Sequence, residues 1–250
     1  MTNVDEAATA SDDSGGRPGG KSGEQSRKKS AKKAMPLWQE TILLLVLALL
    51  LAIIIKSLFV QAFYIPSPSM EPQFVKNDRI LVQKVSYWGS ASPSRGDIVV
   101  FKDPGGWLPA DEGDTAHSGV TKVMEKIGLY PTGGHLVKRV IGVGGDRVVC
   151  CDSKGRVTVN GHALDEKSYL PKGMAPSQVK FDVKVPTDHL WLMGDNRGFS
   201  FDSRGHMGSA GGGYVADDLV VGKVFALIWP WKRAEIIHRP ATFEGIPDSR

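Results

Sequence analysis

A serine between prolines is the residue of this sequence best suited to chemistry. Ser69 lies in the segment Pro66-Ser67-Pro68-Ser69-Met70-Glu71-Pro72, where each proline fixes its own φ and disfavours helix at the preceding residue. The segment follows an apolar run by about ten residues, which extend over about 33 Å at most. A hydroxyl on such a stiff loop is a candidate nucleophile, although serines in turns more often only stabilise the turn.

A lysine on a predicted strand is the candidate base for this serine. The run His135–Gly142 has the Val and Ile content of a strand, and Lys138 and Arg139 fall on its two opposite faces, each otherwise apolar. Burial lowers the pKa of a lysine, and an amine that is neutral at about pH 7–8 can accept a serine proton. Arginine stays protonated, so Lys138 is the chemical candidate and Arg139 the structural one. A strand lysine by itself more commonly extends to water.

The apolar run before the serine predicts a membrane anchor that would position it. Residues 42–55 carry no charge, and a helix over residues 36–60 is long enough to cross a hydrocarbon core of about 30 Å. Trp38 has the position of an interfacial anchor. The alternatives are a buried core helix and a cleaved signal peptide, but residues 61–64 match a cleavage site poorly. We therefore expect a single, uncleaved transmembrane signal-anchor helix.

The residues before this run predict a disordered cytoplasmic tail. Residues 1–35 are rich in Ser, Gly, Asp and Lys, so they bury too little apolar surface to offset their ordering entropy. Much of the formal net charge of +4 comes from the cluster at residues 27–33, which is typical of a cytoplasmic flank and attracts anionic lipid. We therefore expect membrane lipid and no nucleic acid as a partner, with residues 61–250 outside the cytoplasm.

The pattern after residue 61 predicts a mainly β domain. Runs rich in Val, Ile and aromatic residues are separated by Gly, Pro, Asn and Asp, and only Val120–Leu129 looks helical. The predicted strands are residues 79–85, 97–102, 136–143, 147–151, 156–159, 180–185, 189–193 and 219–228. A chain of 250 residues leaves room for one such domain with a core of its own.

The tryptophans, cysteines and histidines carry weaker signals. The tryptophans at 88, 107, 229 and 231 either pack in the core or form a rim that enters lipid headgroups. Cys150 and Cys151 are adjacent. The Cα spacing of about 3.8 Å across a trans peptide is too short for a relaxed disulfide, so we expect buried thiols. The six histidines show no metal-ligand spacing, and neither a metal nor an organic cofactor is predicted.

Four motifs in sequence order resemble those of bacterial type I signal peptidases, the leader peptidase family with a Ser/Lys dyad. They are Pro66-Ser67-Pro68-Ser69-Met70-x-Pro72, Arg95-Gly96-Asp97-Ile98-Val99-Val100-Phe101, Lys138-Arg139-Val140-Ile141-Gly142-x-x-Gly145-Asp146 and Gly194-Asp195-Asn196-Arg197-x-x-Ser200-x-Asp202-Ser203-Arg204-x-x-x-Gly208. The resemblance implies a β-barrel-like peptidase domain with a smaller β insertion over residues 147–185. It departs from the family at Gln73, where a threonine is common, and this puts the packing of that loop in question.

The resemblance also implies roles for single residues. Ser69 would attack the scissile carbonyl, Lys138 would accept its proton, and Ser67 would donate a hydrogen bond to the oxyanion. Ser200 would orient the lysine amine. The remaining motif residues would support the site structurally, and they are Asp195, Arg197, Asp202 and Arg204.

The implied activity is that of a membrane-anchored serine endopeptidase that cleaves N-terminal signal peptides from secreted preproteins. Its substrates would carry small side chains at the first and third positions before the cut. One alternative is a dedicated processing peptidase of the same fold for a single pilin-like or conjugation substrate. Another is a non-enzymatic, anchored binding module. The sequence does not indicate an oligomeric state.

Overall fold

The computed structural model describes residues 36–87, 89, 91–108 and 134–248, without the side chains of residues 55–57. The predicted tail over 1–35, the predicted helix Val120–Leu129 and Trp88 lie outside the described residues. The described chain divides into two units, with the boundary between residues 44 and 45.

A single long helix, α1 (Leu37–Phe59), lies where the anchor was predicted. Its window Leu37–Ile54 is long and apolar enough to cross a membrane, judged by length and composition, and none of this window is buried. A buried core helix would hide such a surface, so exposure of the apolar side chains disfavours that alternative.

Twelve strands follow in the described part of the chain, and the predicted mainly β fold is confirmed. They are β1 (Val60–Tyr64), β2 (Arg79–Gln83), β3 (Ile98–Lys102), β4 (His135–Val143), β5 (Arg147–Cys150), β6 (Val157–Val159), β7 (His162–Ala163), β8 (Phe181–Lys184), β9 (His189–Met193), β10 (Val215–Ala216), β11 (Val220–Trp229) and β12 (Glu235–Ile236). Each predicted strand is present, with ends that differ by at most two residues. Four strands were not predicted: β7, β10 and β12, which are too short for alternation to be visible, and β1, which continues directly from α1.

The strands form two antiparallel sheets. The larger has eight strands in the order β1-β2-β11-β3-β4-β9-β10, with β12 paired to β11, and it curls into a half-barrel. The smaller has the order β7-β6-β5-β8 and lies within the range predicted for the β insertion. Strand β4 therefore lies in the middle of the larger sheet, between β3 and β9, and both of its faces are covered.

The expectation for the two cysteines was wrong. Cys150 and Cys151 are joined in a disulfide, and their Cα atoms are 2.9 Å apart. The expectation assumed the Cα spacing of a trans peptide, whereas the peptide between them is cis. Both side chains pack against the apolar core of the smaller sheet.

The tryptophans divide between the two predicted environments. Trp107 is buried and stacks on His206, with ring centroids 4.2 Å apart. Trp229 and Trp231 are 46% and 76% exposed. Core packing therefore accounts for Trp107. The side chains of Trp229 and Trp231 are largely not covered by other residues of the described chain.

Candidate functional site

The turn that carries Ser69 is anchored in the core on both sides. Pro68–Met70 form a single 3-10 turn, which Pro68 favours because its φ is already fixed. Before the turn, Ile65 pairs through its backbone with the segment at residues 77–78. After it, Met70 and Phe74 are buried in the same apolar cluster as Ile65. The hydroxyl therefore sits on a short, rigid turn.

Gln73, the departure from the family pattern, has a partner. Its side-chain amide donates a 2.8 Å hydrogen bond to Glu235 on β12. This contact joins the end of the serine loop to the edge of the larger sheet, so the loop packs despite the substitution.

Strand β4 carries Lys138 and Arg139 into opposite sides of the protein, and both are buried, at 4% and 1% exposure. Arg139 donates two hydrogen bonds to Asp195, at 2.8 and 2.6 Å. Its cation is thus paired in the bidentate geometry that suits a guanidinium. Lys138 forms no ion pair with a carboxylate in the described residues.

Lys138 instead meets the serine. Its Nζ donates a 2.8 Å hydrogen bond to Ser69 Oγ and a 3.1 Å bond to the Val137 carbonyl. Burial lowers the pKa of Lys138 from 10.5 to about 8, against the opposing attraction of the Asp202 and Asp195 carboxylates. The amine is therefore neutral in a substantial fraction of molecules at mildly alkaline pH, at hydrogen-bond distance from a buried hydroxyl.

This lowered pKa predicts that Lys138→Met stabilises the fold at neutral pH. An amine whose pKa falls on folding destabilises the native state wherever the unfolded chain binds the extra proton. The penalty is complete below pH 8, shrinks as the pH rises, and is lost above about 10.5. It amounts to about 3 kcal/mol at pH 7, of which the two lost hydrogen bonds offset a part.

Chemical unfolding of the full chain in detergent, followed by near-UV circular dichroism, measures this effect. The variant should be the more stable protein at pH 7, and the difference should narrow towards pH 10. A variant that is less stable than the parent at pH 7 would contradict the assignment of a desolvated amine.

A second hydroxyl lies beside the first. Ser67 Oγ is 3.2 Å from Ser69 Oγ, and Ser67 is exposed whereas Ser69 is buried. The Ser69 hydroxyl is thus in contact with a base, and the Ser67 hydroxyl lies next to it on the solvent-exposed side of the turn. This is an arrangement that can attack a carbonyl and stabilise the resulting oxyanion.

The loop after β9 holds this turn from behind. The Asn196 N–H donates to the Ser69 carbonyl at 3.0 Å, and the Asn196 side chain donates to the Pro68 carbonyl at 3.1 Å. Gly194 lies so close that a Cβ there would be 2.5 Å from the Ser69 carbonyl oxygen. Sequence reasoning quoted Asn196 within a motif but assigned it no role. The signal available in the sequence was the position of this amide directly after Gly194 and Asp195.

Ser200 lies in this loop, and its side chain packs on Gly194, where a Cβ would approach Ser200 Oγ to 2.3 Å. The hydroxyl is buried beside Asp202 and helps to lower the pKa of that carboxyl. The described hydrogen bonds of Lys138 go to Ser69 and to the Val137 carbonyl. The role of Ser200 in orienting the amine stays a prediction.

The four motif residues predicted to support the site form buried ion pairs. Besides Asp195 with Arg139, Asp202 accepts two hydrogen bonds from Arg204, at 2.9 and 2.7 Å. Burial raises the pKa of Asp202, but the hydrogen bond and charge of Arg204 outweigh it and lower this pKa below its usual value. Asp202 also accepts from the Gly194 N–H at 2.9 Å, which closes the loop on itself.

Arg197 pairs with a residue that sequence analysis missed. Its guanidinium donates to Glu166 at 2.5 Å, and both side chains are buried. Glu166 lies between strands of the smaller sheet and in none of the four motifs. No feature of the sequence around it therefore indicated a role at the site. Among the described residues, no group of three or more His, Cys, Asp or Glu is arranged to hold a metal ion.

Comparison with known proteins gives a consistent result. The family model "Signal peptidase, peptidase S26" matches residues 38–229. A probable signal peptidase I-2 of Synechocystis sp. is 35% identical over 210 residues, which cover 84% of this chain and 81% of the relative. A signal peptidase I of Mycobacterium tuberculosis is 33% identical, with coverage of 80% and 75%. A crystal structure of a signal peptidase I from Enterococcus faecalis aligns with 54% of this chain and 98% of its own, at a TM-score of 0.34 and 24% identity.

Proposed function

The chain belongs to the signal peptidase family, peptidase S26, and from this premise we propose that it is a membrane-anchored serine endopeptidase that removes signal peptides from preproteins. The observation that carries the proposal is the 2.8 Å hydrogen bond between Lys138 Nζ and Ser69 Oγ in a buried site. Neither a dedicated single-substrate peptidase nor a non-enzymatic module is favoured by this membership.

In the proposed acylation step, the neutral Lys138 amine accepts the hydroxyl proton while Ser69 Oγ attacks the scissile carbonyl. The C–O bond forms and the carbonyl oxygen becomes an oxyanion, to which Ser67 Oγ and the Ser69 N–H donate hydrogen bonds. The C–N bond then breaks, and the lysine ammonium returns its proton to the leaving amine. The product is an ester between Ser69 and the signal peptide.

In the proposed deacylation step, Lys138 is neutral again and accepts a proton from water. The hydroxide attacks the ester carbonyl, the bond to Ser69 Oγ breaks, and the proton returns to the serine. The 3.2 Å separation of Ser67 and Ser69 supports the oxyanion role, because a donor at that distance from the attacking oxygen also reaches the adjacent carbonyl oxygen.

The remaining motif residues are proposed to position the dyad. Asp195 pairs with Arg139, the neighbour of Lys138. Because the Arg139 charge is neutralised in this pair, it does not repel the protonated form of the Lys138 amine. Asp202 and Arg204 hold the loop that packs behind Ser69. Ser200 is proposed to orient the Lys138 amine.

We also propose a topology and a membrane contact. The basic cluster at residues 27–33 favours a cytoplasmic N-terminus, which leaves residues 61–250 as an extracytoplasmic peptidase domain. The domain limits, 1–35, 36–60 and 61–250 with an insertion at 147–185, are part of this proposal. So is contact with lipid through Trp229 and Trp231, whose rings pack edge to face 6.4 Å apart while exposed.

The lipid contact predicts that acyl-chain quenchers reach these two rings. In full-length protein reconstituted with brominated lipid, a part of the tryptophan emission should be quenched, and a Trp229→Phe/Trp231→Phe variant should lose that part. The buried Trp107 serves as the internal unquenched reference. Equal quenching in parent and variant would contradict lipid contact through Trp229 and Trp231.

The activity itself is tested with purified full-length protein in vesicles. A preprotein with small residues at the first and third positions before the cut should yield the mature chain with a single new N-terminus, read by mass spectrometry. The same preprotein with a bulky residue at the first position should stay uncleaved. Failure to process any of several unrelated preproteins would contradict the proposal and favour a dedicated substrate.

A further inference from the structure

A carboxylate of the smaller sheet lies buried against the loop that holds the serine. Glu166 begins the 3-10 turn Glu166–Ser168, between β7 and β8, and it is 4% exposed. Leu164 and Leu170 on either side are buried in the apolar core that this sheet shares with β4 and β9. The carboxylate therefore lies on a turn that is held rigidly by buried residues on both sides.

One oxygen of Glu166 makes two hydrogen bonds. Arg197 donates at 2.5 Å and the Tyr169 hydroxyl at 2.8 Å. Arg197 in turn donates to the Gly194 carbonyl at 2.9 Å and to the Pro176 carbonyl at 2.5 Å. A single guanidinium thus joins the insertion to the residue that packs directly against the Ser69 carbonyl.

Tyr169 makes a second connection towards the lysine strand. Its ring lies under the Arg139 guanidinium, 4.5 Å from ring centroid to Cζ, and Arg139 is bonded to Asp195. The smaller sheet therefore holds both Gly194 and Asp195 in the loop behind the serine. It also contacts the neighbour of Lys138 on β4.

Stabilisation of the fold alone does not explain why this ion pair is buried. The second oxygen of Glu166 is buried without a hydrogen-bond partner in the described chain, which is unfavourable. Buried ion pairs replaced together by apolar residues often leave a protein as stable as before, or more so. Apolar residues would not reproduce the directed hydrogen bonds from Arg197 to the Gly194 and Pro176 carbonyls.

We infer that Glu166 and Tyr169 are positioning residues, through which the β insertion sets the geometry of the Ser69–Lys138 pair by way of Arg197. The inference rests on the proposed function, since it concerns the rate of that reaction. In this role, the β insertion affects the active site through Arg197 and does not need to contact the substrate.

The test uses full-length protein in vesicles and a preprotein substrate, with Glu166→Gln and Tyr169→Phe as variants. Active sites are counted by acylation of Ser69 with a serine-reactive β-lactam, and kcat is expressed per counted site. A residue that only stabilises the fold lowers the number of sites, whereas a positioning residue lowers the rate at each. We expect kcat per site to fall about 10–100-fold for Glu166→Gln and about 3–10-fold for Tyr169→Phe, as for small misplacements of reacting groups, with KM changed less than about twofold.

Two matched controls come from the same chain. Asp182→Asn removes a carboxylate of the same sheet whose pair with Arg147 is exposed, and Tyr214→Phe removes a phenol that packs on Trp191. Both should keep the parental kcat per site. An equal loss in these controls would overturn the inference.

Two other results would also overturn the inference. One is a Tyr169→Phe variant that keeps the parental kcat per site. The other is a Glu166→Gln variant that loses active sites but keeps the parental kcat at each remaining site. If Glu166→Gln does not fold, Tyr169→Phe decides alone. A parent enzyme that cleaves no preprotein refutes the proposed function instead, so the two failures are distinct.

Discussion

Replacing Ser69 with alanine is expected to abolish signal-peptide cleavage, with a fall in kcat of about 10⁴-fold or more. The variant removes the only oxygen at 2.8 Å from the Lys138 amine, and no other hydroxyl occupies the rigid turn at that point. Ser67 is exposed, and the described hydrogen bonds of the Lys138 amine go to Ser69 and to the Val137 carbonyl, so Ser67 is not paired with the base. The fold should survive, because the turn is held by Met70, Phe74 and backbone bonds that do not involve the hydroxyl.

Cleavage of a preprotein in vesicles measures the effect, and thermal unfolding monitors the fold. Ser153→Ala, at an exposed turn, is the matched control and should retain full activity. Substantial processing by a folded Ser69→Ala protein would exclude an acyl-enzyme on this residue and with it the proposed mechanism.

Loss of the Lys138 amine is expected to be nearly as damaging. Lys138→Met should lose cleavage while gaining stability at neutral pH, and Lys138→Arg should also be inactive because a guanidinium does not give up its proton. Lys184→Met, on the exposed face of β8, is the control and should be as active as the parent. A Lys138→Met protein that keeps parental activity would identify another base.

The same amine predicts the pH profile of the parent enzyme. Only the neutral amine accepts the serine proton, and burial lowers its pKa to about 8. Below that value kcat/KM should fall about tenfold for each pH unit, and above it the rate should level off. A profile that is flat between pH 6 and 9 would show that no group with this pKa controls the reaction.

Much of the fold could be predicted because it depends on local patterns. The helix over residues 37–59 follows from an apolar run without charge over residues 42–55. Apart from β1, which continues directly from the helix, the strands of three or more residues follow from alternation and β-branched content. The two-residue strands could not be predicted, since they exist only through their partners in the sheet. The disulfide between Cys150 and Cys151 was not expected from their adjacent positions in the sequence.

The site divides in the same way. Ser69, Lys138 and the charged residues of the 194–204 loop stood out through residue type, spacing and family resemblance. Their partners did not, because Glu166, Tyr169 and the backbone contacts of Asn196 come from remote parts of the chain. The role in orienting the lysine that the resemblance implied for Ser200 stays a prediction, because the described hydrogen bonds of Lys138 go to Ser69 and Val137.

The sequence by itself determined an apolar anchor, a mainly β domain and a serine and a lysine with the potential to react. Only the tertiary structure decided that these two side chains meet, and that burial is the largest cause of the lowered pKa of the amine. The physical reason is that secondary structure depends on contacts within a few residues. A side chain's solvation and ion-pair partner depend instead on segments that are distant in the chain, 69 positions apart for the two reacting groups.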